Sequence, residues 1–437
     1  TGAIGQITLY GLLAALAGWR LIPALLAWFE VRAEEPWLRW LLLATLAVFA
    51  LKLGGRLVPE SMPGDIGFHR NRLWEMMRGN PYQVAVHRGV PFPYPSALYA
   101  LLAPLTLLGL SEAALLELAA ALCEALALPL IFGLVARVTG RPRAGLLAAL
   151  AYGLFPAGFM TVAWSFDAHI FAQFVALAWC ALLARWWPRI GERRVWLGLT
   201  GGLALVGLSH FGFYINISLL TGLLVVWSWL RWPQFRRQSQ ALALSLIAMQ
   251  VLVWAIYYTA FASQLQCVIN FRALYQSQRD ACPAQSYSPE TRQLISRAAL
   301  LWDIAETGFW RHYGLVPVLL APLGLLLLRR GAARPANDAT GAAERRSLLA
   351  LVIGATFLVS LGLGAVPLIS AAPITTRWLM FSAWAIAVCV GIVLDRLWER
   401  GAAGRAAAVA CSLGIAGMGV FLWLQTVVYR IRPPEPF

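Results

Sequence analysis

The chain has 437 residues, of which 60% are hydrophobic and 13% are charged, and its mean hydropathy is +0.68. A soluble protein of this size needs far more charge to cover its surface, so the composition excludes a soluble domain. The formal net charge is +15, but the arginines lie in the gaps between apolar segments and do not form one basic face. We therefore expect an α-helical membrane protein that binds no nucleic acid.

Twelve apolar segments are candidates for membrane-spanning helices. A helix needs about 20 apolar residues to cross a hydrocarbon core about 30 Å thick. The segments are 7–28, 37–53, 113–135, 145–163, 170–184, 195–208, 213–230, 241–258, 315–328, 348–366, 378–394 and 406–427. Stretch 96–110 follows Pro95 and contains Pro104, and we expect it to lie at the interface rather than to cross. The predicted fold class is an all-α polytopic bundle of about 12 transmembrane helices.

The linkers between these segments predict the topology. Five of them are short and rich in arginine: 137–143, 185–194, 231–237, 329–346 and 396–405. Positively charged loops stay on the cytoplasmic side, so loops 54–95, 165–169, 209–216, 264–312 and 367–377 are predicted to lie outside.

The segment rich in Ala and Gly after Arg330 suggests a division of the chain. We expect an N-terminal transmembrane module at 1–330, a cytoplasmic linker at 331–346 and C-terminal transmembrane helices at 347–437. Lys52 is the only lysine among many arginines, a bias typical of GC-rich bacterial genomes, and the predicted location is the bacterial plasma membrane.

The first outer loop contains three short motifs in a fixed order. They read GDIGFH at 64–69, WEMMRGNPY at 74–82 and FPYPSALY at 92–99. In this order they resemble the first extracytoplasmic loop of the GT-C superfamily of membrane glycosyltransferases. Such a loop has an acidic residue after an early span, then a helix, a G-x-x-Y turn and a Y-P-P-like start of a juxtamembrane helix. Here Ser96 stands where the second proline is usual.

The resemblance extends from about Trp37 to Asn216, through the basic turn at Arg141 and Arg143 and the sequence WSFD at 164–167. It implies a GT-C-like bundle with juxtamembrane helices in the first large outer loop. It also implies the use of polyprenyl-phosphate sugars, as in mannosyltransferase- and arabinosyltransferase-type families. By this resemblance Asp65 is the catalytic acidic residue and Asp167 is the second acidic position.

Each of the two carboxylates also has a purely structural interpretation. Asp65 follows a glycine and precedes a helix predicted to begin at Ile66, so it could cap that helix. Asp167 could belong to a solvated hairpin. In the catalytic interpretation Asp65 is the general base for an acceptor hydroxyl, and Asp167 orients the acceptor.

Several cationic and polar residues in the outer loops are candidates for binding the substrate. Arg377 could donate two hydrogen bonds to a lipid phosphate, or it could anchor the chain at the interface. Arg311 and His312 could likewise bind the phosphate, or they could belong to the belt of aromatic residues at the membrane interface. The remaining candidates for donor or substrate binding are His69, His169 and Tyr94.

The sequence predicts no cofactor. A divalent metal held by Asp65, Asp167 and a histidine is left open, since no fixed ligand spacing supports it. Four of the six cysteines lie in apolar segments, and the other two, Cys267 and Cys282, share an outer loop where a disulfide is predicted.

Two further groups of polar residues lie in or beside the spans. Glu117 and Glu124 are seven residues apart within one span, and we expect a buried pairing with an arginine. His210 interrupts two spans. It could line the cavity, but we expect it to be packed and hydrogen-bonded.

The predicted reaction moves a sugar from a polyprenyl-phosphate donor to a hydroxyl of a lipid, glycan or protein on the extracytoplasmic side, with inversion. The alternatives are a transporter or flippase of a lipid-linked substrate and a non-catalytic subunit of a larger complex.

Overall fold

The computed structural model describes residues 2–31, 34–54, 64–87, 90–263, 265, 301–302, 304–333, 341–366, 376–429 and 431. Cys267 and Cys282 lie outside the described residues, so the predicted disulfide stays a prediction. Most of loop 264–312 and residues 367–375 also lie outside them.

The chain folds as a bundle of α-helices. They are α1 (Gly2–Trp28), α2 (Glu35–Gly54), α3 (Ile66–Met77), α4 (Ala97–Leu102), α5 (Glu112–Thr139), α6 (Pro142–Leu154), α7 (Pro156–Ala163), α8 (Asp167–Trp186), α9 (Arg193–Gly207), α10 (Phe211–Arg231), α11 (Arg236–Ile256), α12 (Leu315–Ala333), α13 (Ala342–Ala365), α14 (Ala383–Trp398) and α15 (Gly401–Val427). Short 3₁₀ helices occupy Ala103–Leu108, Trp187–Arg189, Pro233–Phe235, Tyr258–Phe261 and Thr376–Ser382, and Ile304–Arg311 is a π-helix.

Each of the twelve predicted apolar segments overlaps a helix. Within the described residues nine helices are long and apolar enough to cross a membrane, and a tenth span results if the sharply bent pair at Ile304–Arg311 and Leu315–Arg330 is counted as one. The polytopic all-α prediction is confirmed. Of the twelve predicted segments, 195–208 is shorter than a span because α9 has 15 residues. Helix α1 has 27 residues, and its described apolar part is Ala15–Trp28.

Proline explains one difference from the predicted spans. Segment 145–163 is not one straight helix, because α6 ends before Pro156 and α7 begins there. Phe155 has an extended backbone (φ −62°, ψ 139°), as the steric demand of a following proline ring requires.

The core is built around α14, which packs against α6 and α12. A Cβ on Gly391 of α14 would lie 2.5 Å from the main-chain nitrogen of Ala148 in α6, so only glycine allows this close approach. Small residues at helix crossings are typical of membrane proteins, because van der Waals packing rather than the hydrophobic effect holds their helices together. The helices from the predicted C-terminal region are thus part of the same bundle.

The first outer loop contains the predicted juxtamembrane helices α3 and α4 and also a β-hairpin. Strands β1 (Val84–His87) and β2 (Val90–Pro93) pair antiparallel, with Val84 opposite Pro93. Tyr257 after α11 donates a hydrogen bond from its Oη to the carbonyl oxygens of Gln83 (3.1 Å) and Tyr94 (2.8 Å). The end of α11 therefore holds the hairpin in place.

The interfacial prediction for stretch 96–110 agrees with the structure. Helix α4 and the 3₁₀ helix after it span twelve residues, Ala97–Leu108, which is too short to cross a bilayer. Leu98 and Tyr99 are buried against the bundle, whereas Leu107 and Leu108 are 89% and 70% exposed.

The basic linkers gather at one end of the bundle. Arg141 and Arg143 form salt bridges with Asp395 at 2.9 and 2.5 Å, which joins the α5–α6 turn to the end of α14. Arg346 in α13 donates to the carbonyl oxygen of Val138 at 3.4 Å. The candidate site residues described next lie at the other end.

Candidate functional site

Two loops that were predicted to lie outside meet where Asp65 and Asp167 are located. The backbone N–H of Asp65 donates a hydrogen bond to the carbonyl oxygen of Trp164 at 2.9 Å. A Cβ on Gly64 would lie 2.4 Å from the same carbonyl group, so a side chain at this position would separate the two loops. The main chain therefore sets the relative position of the two predicted acidic residues.

The turn before Asp167 has a strained backbone. Ser165 is fully buried and has a φ of +52°, a left-handed conformation that costs a non-glycine residue on the order of 1–3 kcal/mol. Hydrogen bonds from the N–H groups of Ser165 to Val162 (3.0 Å) and of Phe166 to Thr161 (2.9 Å) hold the turn. The turn ends at Asp167, the first residue of α8, which is 1% exposed. A solvated hairpin does not describe this residue.

Asp65 stands at the N-cap position of α3, which begins at Ile66 as predicted. Its side chain makes no capping hydrogen bond to that helix. The capping interpretation therefore does not account for the carboxylate, and the catalytic interpretation stays a prediction.

Tyr94 lies between the charged residues of the site. Burial raises the pKa of its hydroxyl above the ordinary value. The negative charges of Asp65 and Asp167 also raise this pKa, whereas Arg377 opposes them. All three charged side chains are therefore within electrostatic range of one phenol, which stays protonated and can donate a hydrogen bond.

A short chain of hydrogen bonds supports Tyr94. Its hydroxyl bonds to that of Tyr99 in α4, and Tyr99 Oη lies 2.6 Å from Nδ1 of His69 in α3. The rings of Tyr94 and His69 are 6.3 Å apart. Tyr99 thus connects the two predicted residues His69 and Tyr94. It belongs to the motif FPYPSALY, but the sequence predicted no role for it.

Arg377 lies in the 3₁₀ helix Thr376–Ser382, which precedes α14. Its guanidinium group is 4.3 Å from the ring centroid of Phe166, the residue next to Asp167. A cation over an aromatic face is held in a defined orientation. The C-terminal region therefore contributes a cation to the site of the two predicted acidic residues.

His169 and His210 form an aromatic cluster beside this cation. Their rings are 5.7 Å apart, and the His169 ring lies 5.1 Å from Phe213 and 5.3 Å from Phe381. His210 Nδ1 accepts a hydrogen bond from the N–H of Gly212 at 3.1 Å, at the start of α10, and its ring lies 6.4 Å from Tyr94. The structure agrees with the prediction of a hydrogen-bonded His210 and also places it in the site.

The environment of His210 predicts a pH dependence. Burial and the charge of Arg377 lower its pKa from 6.5 to about 4. The unfolded chain therefore binds a proton more tightly at this residue, so stability should fall as the pH drops from about 6.5 towards 4. We expect that a change from pH 7.5 to pH 5 lowers the thermal midpoint more in the wild type than in His210→Gln, by about 2 °C or more. Equal acid losses in the two proteins, measured in the same detergent, would contradict this.

Arg311 and His312, the remaining predicted pair, differ in their surroundings. Arg311 forms a salt bridge with Glu306 in the same π-helix, with 2.6 Å between Nη2 and Oε1. His312 is fully buried and lies within electrostatic range of His169. Of this predicted pair, His312 therefore borders the site.

A buried polar network continues from the site into the bundle. Gln173, one turn after His169 in α8, donates to Tyr152 Oη at 2.8 Å, and Tyr152 donates to Glu124 at 3.1 Å. Glu124 pairs with Lys52 of α2 at 3.4 Å. The prediction of an arginine partner for Glu124 was wrong, because α2 packs against α5 and brings in the single lysine of the chain.

No metal centre can be assigned from the described residues, where no three His, Cys, Asp or Glu side chains are grouped to hold an ion. The divalent metal that the sequence leaves open stays untested.

The fold is similar to that of the oligosaccharyltransferase of Archaeoglobus fulgidus, whose crystal structure is a complex with Zn and sulfate. The TM-score is 0.57 at 15% sequence identity. The similarity covers 91% of this chain and 54% of that protein, so the chain spans about half its length. No family model and no curated protein sequence matches. The similarity establishes a shared fold, and the GT-C-like architecture predicted from the sequence is confirmed.

Proposed function

We propose that this protein is an integral-membrane glycosyltransferase of GT-C type. The observation that carries the proposal is the main-chain hydrogen bond from Asp65 to Trp164, which joins the loop of Asp65 to the turn before Asp167, with Asp65, Asp167 and Arg377 all within electrostatic range of Tyr94. Carboxylates beside a cation, at one end of a bundle with this fold, are the groups that sugar transfer from a lipid phosphate needs.

The donor in this proposal is a sugar linked to a polyprenyl phosphate. An acceptor hydroxyl oxygen attacks the anomeric carbon, and the bond between that carbon and the phosphate oxygen breaks. The hydroxyl proton goes to the Asp65 carboxylate, and the polyprenyl phosphate leaves with the bonding electron pair. A single direct displacement inverts the anomeric configuration.

The other residues of the site have supporting roles in this mechanism. Arg377 neutralises the charge that develops on the leaving phosphate, and the protonated Tyr94 hydroxyl donates a hydrogen bond to the donor. Asp167, which is held at the strained turn, orients the acceptor hydroxyl. These roles assign acceptor binding to the α8 side of the site and donor binding to the start of α14.

The direct test of this proposal measures donor turnover. Purified protein in vesicles is given a panel of synthetic polyprenyl-phosphate sugars together with a membrane extract as the source of acceptor. We expect release of polyprenyl phosphate with one sugar of the panel, and a product with inverted anomeric configuration. Movement of an intact donor across the vesicle membrane without release of polyprenyl phosphate would favour the transporter alternative.

Arg377→Ala should weaken donor binding. The substitution removes a fixed cation from beside the phosphate, and a hydrogen bond to a charged group contributes about 1.5–3 kcal/mol, or roughly 10- to 150-fold in affinity. Arg377→Lys should restore only part of this loss, since an ammonium group lacks the planar guanidinium geometry. Donor affinity is measured by titration of a fluorescent polyprenyl-phosphate sugar.

The control for this prediction is Arg78→Ala. Arg78 is exposed at the end of α3, 3.4 Å from the ring centroid of Trp74, and we expect this variant to keep donor affinity within about threefold. An unchanged affinity in Arg377→Ala would return Arg377 to the role of an interfacial anchor.

A further inference from the structure

A cavity lies at the end of the bundle opposite to the candidate site. Its volume is about 310 Å³, and it is lined by residues from the ends of α1 and α5 and the starts of α6 and α13, among them Glu30, Arg137, Gly140, Pro142 and Arg345. None of these residues takes part in the proposed reaction. The cavity is therefore separate from the site described above.

Three guanidinium groups surround a single carboxylate at this cavity. Arg137 Nη1 is 2.7 Å from Glu30 Oε2, and Arg185 Nη1 is 3.5 Å from Glu30 Oε1. The hydrogen bond from Arg137 and the charges of Arg137, Arg185 and Arg345 lower the pKa of Glu30. The carboxylate is thus ionised, and the described groups around the cavity still carry an excess of positive charge.

One guanidinium group of the cavity wall retains hydrogen-bonding capacity. Arg137, which lines the cavity, is only 14% exposed, and within the described part of the chain its Nε has no hydrogen-bond acceptor. A buried donor without an acceptor is costly, so an additional acceptor at this position would be stabilising. Phosphate oxygens are strong acceptors for guanidinium groups.

Two backbone features shape the cavity wall. Glu30 has a φ of +58°, a strained conformation for a residue with a side chain, and Arg137 Nη1 holds this turn by donating to the carbonyl oxygen of Phe29 at 2.6 Å. Helix α6 begins at Pro142, which lines the cavity, and its N-cap residue Arg141 makes no side-chain capping hydrogen bond. A helix N-terminus favours an anion.

We propose that this cavity binds the phosphate of an anionic phospholipid. The cavity lies at the ends of membrane-spanning helices, at the depth of the headgroups, and basic pockets between such helices suit phosphate headgroups. The acyl chains would follow α1, whose Leu16 and Trp19 are 67% and 63% exposed. A free phosphate ion shares the headgroup chemistry but lacks these apolar contacts.

The test compares lipids on the purified full-length chain in a neutral detergent. The thermal midpoint is followed as phosphatidylglycerol, phosphatidylcholine or inorganic phosphate is added. We expect half-maximal stabilisation at a phosphatidylglycerol concentration at least about tenfold lower than for phosphatidylcholine, with inorganic phosphate far weaker than either.

Variants at the cavity separate this site from general surface charge. The double variant Arg137→Gln/Arg345→Gln should raise the half-maximal phosphatidylglycerol concentration roughly 30-fold. Arg345→Gln alone should raise it about fivefold, and this single variant is the test if the double variant does not fold. Arg236→Gln is the matched control, because Arg236 is exposed at the same end of the bundle outside the cavity. It should bind like the wild type.

Two results would overturn the proposal. If phosphatidylglycerol and phosphatidylcholine stabilise equally, or if Arg345→Gln binds like Arg236→Gln, the cavity is not an anionic-lipid site. If inorganic phosphate is as effective as phosphatidylglycerol, the site takes a soluble phosphate and the lipid assignment is wrong.

Discussion

Asp65→Asn is expected to abolish sugar transfer while donor binding and the fold are largely unchanged. Asparagine has nearly the same size as aspartate and keeps the backbone N–H that donates to Trp164, so the two outer loops should stay together. It cannot take up the acceptor proton, and general-base catalysis contributes at least about 100-fold. The measurement is the turnover of the polyprenyl-phosphate sugar that the panel assay identifies.

Glu75→Gln is the matched control for this change. Glu75 lies near the end of α3 opposite to Asp65 and accepts a hydrogen bond from Asn80. Glu75→Gln should retain turnover within about threefold. Asp167→Asn should lose less activity than Asp65→Asn, because Asp167 orients the acceptor hydroxyl whereas Asp65 accepts its proton. Near-normal turnover in a folded Asp65→Asn protein would remove Asp65 as the base and put the transporter and subunit alternatives ahead.

Lys52→Met should strongly destabilise the protein. Lys52 and Glu124 are 0% and 2% exposed, and removal of one partner leaves an uncompensated charge inside the bundle. Such a loss costs about 3–5 kcal/mol, which for a chain of this size corresponds to a fall in thermal midpoint of roughly 3–6 °C. The midpoint is measured in detergent with the wild type alongside.

A second substitution should reverse most of this loss. In Lys52→Met/Glu124→Gln no charge remains, and the glutamine still accepts the hydrogen bond from Tyr152, so we expect the midpoint to recover by more than half. Arg39→Met, in the same helix, breaks an exposed pair with Glu35 and should shift the midpoint by less than about 2 °C. Similar shifts in Lys52→Met and Arg39→Met would show that burial of the pair has no energetic consequence.

The sequence predicted the helical bundle well because hydropathy is a local property. Runs of apolar residues and arginine-rich linkers identify spans without knowledge of their neighbours. The motifs around Asp65 and the sequence WSFD identified the two loops that meet in the structure. The order of these motifs along the chain was the basis of the resemblance to GT-C glycosyltransferases. Breaks such as the one at Phe155 could have been read from Pro156, whose effect on the preceding residue is also local.

Contacts between distant segments could not be predicted in the same way. The pairing of Lys52 with Glu124 depends on how α2 packs against α5, and the position of Arg377 over Phe166 depends on the path of the chain before α14. Likewise, nothing in the sequence around Tyr99 signals that it links His69 to Tyr94. The strained turn at Ser165 was equally invisible, since serine is not a residue that marks a left-handed backbone.

The exposed leucines after α4 have a consequence for how substrate reaches the site. Exposed leucines such as Leu107 and Leu108 would promote aggregation of the protein in water. In a bilayer they would hold the loop before them at the membrane surface. Asp65 and Tyr94 belong to that loop, so their height is defined relative to the lipid headgroups. In the proposed reaction the donor is anchored by its own lipid tail, so its phosphate lies at a similar height. Encounter between the two is then a search by lateral diffusion in two dimensions, and its rate depends on the mole fraction of donor in the membrane rather than on its concentration in the bulk solution.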